Sequence, residues 1–259
     1  MRSLKHLAVI VLALLLATCN GSGGDEPLAA NSLAALISEM GLPIQRDSLI
    51  SCAASGQNSF LAEASGLPVS VIYLPVANAG PVWFFETNGL VVDKTDYSQY
   101  FRRELQDKPL LNGFLRKFAH PGGSQETLGI VATVSNGKLF ISNEINIKDA
   151  IQATTFSTDD IAIDQTQPLM PSFTWPVSDM GEDAIYFHVV SNEANDLISG
   201  TYTFERNYQF YNLSNVVLNI NETNPPPSLE SGETYTFSIM AVSLDNWVNS
   251  FSSLEFKVD

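Results

Sequence analysis

Cysteine, histidine and positive charge are all scarce in this chain. Its 259 residues hold two cysteines, Cys19 and Cys52, and three histidines. None of them falls in a Cys-x-x-Cys or His-x-x-x-His pattern, so the spacing assembles no zinc site. Thirteen Lys plus Arg stand against 28 Asp plus Glu, a formal net charge of −15. A surface of that sign repels phosphate backbones and anionic headgroups, which argues against nucleic acid as a partner. Serine-nucleophile motifs are missing. Gly21-Ser22-Gly23-Gly24 and Gly122-Gly123 lack the strand-to-helix setting of a phosphate loop. Asp159, Asp160 and Asp164 do not have the spacing of a calcium loop. The sequence therefore calls for no metal, no cofactor and no catalytic residue. Nor does any apolar run reach the roughly 20 residues that a membrane-spanning helix needs.

The longest apolar run, Leu7 to Ala17, follows the basic start Met1 to His6 and ends at Thr18-Cys19. Its length and flanks predict a signal peptide over residues 1–18. Leu16-Ala17-Thr18-Cys19 resembles the lipobox of bacterial lipoprotein precursors, in which a leucine stands three places before the modified cysteine. That resemblance implies lipid attachment at Cys19, the first residue of the mature chain, and membrane contact through the anchor. Asn20 after it implies the outer membrane. Residues 19–30 read as a flexible spacer by composition and are similar to those of surface lipoproteins from Bacteroidetes-type bacteria. A secreted chain cut elsewhere is the alternative. With Cys19 consumed, Cys52 has no disulfide partner and reads as a small buried apolar side chain.

The rest of the chain is organised by alternation. Glu233 to Ser243 puts Tyr235, Phe237, Ile239 and Ala241 on one face, and Glu126 to Ser135 repeats the pattern with Leu128, Ile130, Ala132 and Val134. Period two over that length is the signature of a half-buried strand. The predicted fold is all-β: two tandem immunoglobulin-like sandwiches over residues 31–157 and 171–259, joined by a linker at 158–170. The first is divergent and carries short helical additions, one over Asn31 to Met40 stopped by Gly41 and one opened by Asp96. Asn136-Gly137 predicts a tight hairpin, and His120, beside Pro121-Gly122-Gly123, a loop. Leu229-Glu230-Ser231-Gly232-Glu233-Thr234-Tyr235 resembles the corner motif of fibronectin type III domains. The match implies that the Tyr235 hydroxyl bonds nearby backbone and that Trp175 is the core tryptophan. In the first unit Leu128 replaces the corner tyrosine.

Binding residues are then expected on loops at the sandwich ends. Asp245-Asn246-Trp247-Val248-Asn249 follows the organising strand where the last hairpin turns. Trp247 there either stacks on a sugar ring or plugs the sandwich end, with Asp245 and Asn246 beside it. Trp83, next to Phe84 and Phe85, is a second candidate, since neighbouring rings on a strand point to opposite faces. These features predict a non-catalytic envelope lipoprotein presenting its sandwiches to a glycan or a protein partner. The alternative of a different class is an envelope hydrolase of glycosidase type, whose two carboxylates would need to lie only about 5–10 Å apart in space; clustered carboxylates between the units would favour it.

Overall fold

The computed structural model describes residues 29–46, 48–56, 69–179, 181–221 and 225–259, so the signal segment, Cys19 and most of the spacer lie outside it. Helix α1 (Leu33–Met40) opens on Ser32, whose hydroxyl accepts the Ala35 N–H at 3.1 Å, and closes on Gly41 at φ +57°, a left-handed cap that glycine adopts without cost. The first sandwich follows: β1 (Ile44–Gln45), β2 (Ser51–Ser55), β3 (Val69–Tyr73), β4 (Val82–Glu86), β5 (Phe101–Arg103), β6 (Asp107–Leu110), β7 (Leu115–His120), β8 (Thr127–Ser135), β9 (Lys138–Ile141) and β10 (Ile145–Ile147). One sheet runs β2-β3-β7-β6; the other runs β1-β9-β8-β4-β5, with β10 also on β8. These are the A-B-E-D and G-F-C-C′ orders of an immunoglobulin sandwich. Asn136 and Gly137 both have positive φ, as the two-residue turn between β8 and β9 requires.

The second sandwich holds β11 (Thr155–Ser157), β12 (Ala162–Asp164), β13 (Ser172–Thr174), β14 (Ile185–Asn192), β15 (Leu197–Thr203), β16 (Asn207–Gln209), β17 (Val216–Asn219), β18 (Thr234–Val242) and β19 (Val248–Lys257). Its sheets run β12-β13-β16 and β11-β19-β18-β14-β15-β17. Each unit thus opens with a short strand lying parallel to the second strand of its last hairpin, β1 on β9 and β11 on β19. The chain is two tandem immunoglobulin-like sandwiches, the second of fibronectin type III character. The expected boundaries need correction: β11 falls in the segment given to the first unit and β12 in the supposed linker, yet both pair within the second. Strands of three residues are too short to leave a periodic trace.

Two further expectations give way. Asp96 caps only a single 3-10 turn, Tyr97–Gln99. Phe101 to Arg103 then pair with β4 instead of coiling, so sheet pairing overrides local helical preference. Tyr235, Phe237, Ile239 and Ala241 do point into the second sandwich, against Phe173, Trp175, Tyr208 and Phe210. On β8, Leu128, Ile130 and Ala132 are buried against Leu33 of α1, Phe85 and Tyr100, so that face is roofed by the helix. The facing sheet is met from the other side, where Val131 packs with Val71, Tyr73, Phe84 and Phe118.

The tyrosine corner forms: the Glu230 N–H donates to the Tyr235 hydroxyl oxygen at 3.1 Å, around Gly232 at φ +84°. Tyr235→Phe should therefore lower stability by about 1 kcal/mol, read as a shifted urea midpoint at unchanged slope.

The two sandwiches do not hang as separate beads. Phe187, Val189, Met240, Val242 and Phe251, on the outer face of the large second sheet, pack in one cluster with Ala54, Ile72, Leu110 and Leu115 from the outer face of β2-β3-β7-β6.

Candidate functional site

The loop joining β18 to β19 is where the sequence places the binding residues, and its local structure is tightly specified. Asn246 sits at φ +63°, and the Ser243 N–H closes the turn on the Trp247 carbonyl at 2.9 Å. Asp245 accepts from the Ser243 hydroxyl, from Lys148 Nζ at 2.9 Å and from Asn146 Nδ2 at 3.3 Å. Burial pushes its carboxyl up, but these partners outweigh that and hold it below the usual carboxylate range.

The loop is not open to a ligand, because the first sandwich already fills it. Trp247 is 0% exposed and lies in the core of the first unit among Leu49, Ala53, Val69 and Tyr73. Asn246 donates through Nδ2 to the Glu144 carbonyl at 2.8 Å, and its own carbonyl accepts the Ala53 N–H at 3.0 Å. β2 is an edge strand, and its outward N–H groups would otherwise be unpaired. Ser51 donates to Asn143 Oδ1 at 3.1 Å and Ser55 to Thr154 Oγ1 at 2.9 Å, flanking the Ala53 bond. The stacking role offered for Trp247 is thus corrected, and Asp245 and Asn246 are spent on the same joint. A signal was present in Ala53, whose small side chain faces the core of the first unit beside the Trp247 ring. Trp83 is half-buried on the α1 side of β4, with the Arg102 guanidinium 6.0 Å from its ring centre.

The reactive side chains His188, His120 and Glu86 are buried, and Cys52 is half-buried. Cys52 lines a cavity of about 240 Å³ between the sandwiches, with Ile72, Leu74, Phe187 and Tyr202. Burial pushes its thiol up to about 12, the opposite of what a nucleophile needs. His188 lies inside the second sandwich with Thr201 Oγ1 2.8 Å from Nδ1 and the Tyr208 ring 4.2 Å away; burial drives it down to about 3. His120 is not in a loop. It ends β7, buried, and receives the Gly122 N–H on Nδ1 at 2.9 Å. The proton therefore sits on Nε2 and is donated to Glu86 Oε1 at 3.2 Å. Glu86 also takes the Thr127 hydroxyl at 2.7 Å and the Arg103 Nε at 2.8 Å. Burial raises the Glu86 carboxyl, and His120 with Thr127 and Arg103 brings it below its ordinary value. This cluster ties β4, β7 and β8 together.

Two carboxylates do meet at the seam. Glu126 Oε2 and Asp245 Oδ2 share the Asn146 amide at 2.9 and 3.3 Å. Asp245 is held further by the Ser243 hydroxyl and Lys148 Nζ, so the pair is tied into a clasp between the units. Among the described residues no three His, Cys, Asp or Glu converge to hold a metal ion, and no helix is long and apolar enough to cross a membrane.

No protein-family model matches the chain, and no curated protein does. Among solved structures, a two-domain fibronectin type III segment from chicken tenascin is similar over 73% of this chain and 91% of that one, at 11% identity and a TM-score of 0.29. Similarity of that degree adds nothing about function, and the fold rests on the strand orders themselves.

Proposed function

We propose that this protein is a non-catalytic lipoprotein of a bacterial outer membrane, tethered through Cys19 and facing the cell surface, whose fused sandwiches present a binding face to a glycan or a protein partner. The address is carried by Leu16-Ala17-Thr18-Cys19 behind its apolar run, because two or more acyl chains on one cysteine give stable anchoring. The observation that supports binding over catalysis is the state of the reactive groups. The one thiol among the described residues is driven up to about 12 and His188 down to about 3, while the His120–Glu86 pair is closed on itself. Groups so committed hold the scaffold and leave its surface to do the work.

Expression of the full chain in a Gram-negative host with alkyne-palmitate tests the address. Label is expected on the membrane-bound protein, and Cys19→Ser should abolish both label and membrane retention. Recovery of unlabelled soluble protein with a different amino terminus would refute it.

A further inference from the structure

The two sheets of the second sandwich are unequal, three strands against six, and the wider sheet overhangs the narrower at its β19–β11 edge. Cross-strand rows there run Ala241–Ser250–Thr155 and Ile239–Ser252–Ser157. Residues in one row share a face of the sheet, and Ile239 and Ala241 belong to the inner core. The hydroxyls of Ser250, Thr155, Ser252 and Ser157 therefore stand on the inner face, at positions that would be apolar if a strand covered them. Farther along the same strand the inward residue is Phe256, inside the core. The inner face thus turns from apolar to hydroxyl-bearing where cover ends.

The result is a groove of about 340 Å³, floored by Ile239 and Ala241, with Trp175 at its inner end and Asp160 and Asp179 on its walls. That volume lies within the range of small-molecule clefts. No hydrogen bond or ion pair within the described residues engages either aspartate, and no Lys or Arg lines the groove. The hydroxyl rows are about 5 Å apart across strands and about 7 Å along them, the dimensions of one pyranose ring. Carboxylates accept pairs of sugar hydroxyls, and serine hydroxyls both donate and accept. Two uncompensated carboxylates repel sulfated or uronic sugars.

We infer that this open flank is a saccharide-binding groove for a neutral sugar unit, held by Asp160, Asp179 and the Ser250–Ser252 hydroxyls. The inference rests on the proposed binding role and supplies it with a site.

The test is affinity electrophoresis of the detergent-solubilised full chain in gels cast with galactomannan, xyloglucan or β-1,3-glucan, and with alginate as the anionic control. Retardation is expected on at least one neutral polymer and not on alginate. Ser250→Trp, which fills the groove at its rim, should weaken that retardation by about tenfold or more, and so should the Asp160→Asn/Asp179→Asn pair, which alters only exposed positions and guards against misfolding of the first variant. Equal retardation of wild type and both variants would overturn the groove while leaving glycan binding in place. Retardation by alginate alone would also overturn it, in favour of an anionic glycan, and mobility unchanged on every polymer would overturn it while the protein-partner form of the proposed function stands, since palmitate labelling reports on the anchor independently.

Discussion

Trp247→Ala should cost about 3–5 kcal/mol, the usual range for emptying a large aromatic site in a packed core, and the loss should be felt in the sandwich that does not contain the residue. Trp247 belongs by chain to the last hairpin of the second unit but is packed by Leu49, Ala53, Val69, Val71, Tyr73 and Phe118 of the first. Its removal leaves a cavity in one unit and loosens the loop of the other, whose Asn246 carbonyl caps the Ala53 N–H. Wild-type protein should unfold in a single calorimetric transition, because the shared cluster of Phe187, Met240 and Phe251 with Ile72 and Leu115 couples the units. In the alanine variant the endotherm should move down and broaden or split. Trp247→Phe provides the control. Among the described residues the indole N–H has no partner, so phenylalanine loses part of the ring volume and none of their hydrogen bonds, and should retain most of the stability. A Trp247→Ala midpoint within a degree of wild type would mean that the joint contributes nothing.

Acid should destabilise the fold early, with His188 as the first cause. Its pKa falls from 6.5 in the unfolded chain to about 3 in the folded one, because burial penalises the imidazolium. Above pH 6.5 the ring is neutral in both states and contributes no pH dependence. Below it the unfolded chain binds a proton that the folded chain refuses, so stability falls by up to about 1.4 kcal/mol per pH unit. The loss, roughly 4 kcal/mol by pH 3, is a large share of the stability of an ordinary domain. Lowered carboxylates such as Glu86 and Asp245 add to it, but only as pH approaches their own range. Between pH 6.5 and 5, then, the slope of urea-unfolding free energy against pH should be reduced in His188→Gln relative to wild type. Parallel slopes would show that the ring takes its proton inside the fold.

The organising strand was legible because the small polar Thr234, Thr236 and Ser238 alternate with the inward Tyr235, Phe237, Ile239 and Ala241, even though Met240 and Val242 of its other face are buried against the first sandwich. The same signal misled at β8. There both faces are buried, so Leu128, Ile130 and Ala132 met α1 while Val131 met the facing sheet. Local chemistry served well where one residue decides the geometry, as at Gly41, Asn136-Gly137 and the Tyr235 corner. The joint was hidden for a different reason. A tryptophan that fills another unit's core and one that waits for a sugar look alike in a short polar turn, and only the small side chain of Ala53 on β2, far away in sequence, tells them apart. The inter-strand groove was equally unreadable, since Ser250 and Ser252 pass for ordinary solvent-side residues until the strand count of the opposing sheet is known.

The bond between Ala53 and Asn246 joins positions near opposite ends of the chain, and such distant closures are slow. A polypeptide emerging amino end first carries β2 with a bare margin and a hollow beside it until the final hairpin is made. Through that interval the early half is exposed to strand pairing with its neighbours, which makes the time before the last hairpin forms, more than the finished molecule, the stage at which this protein most needs a chaperone.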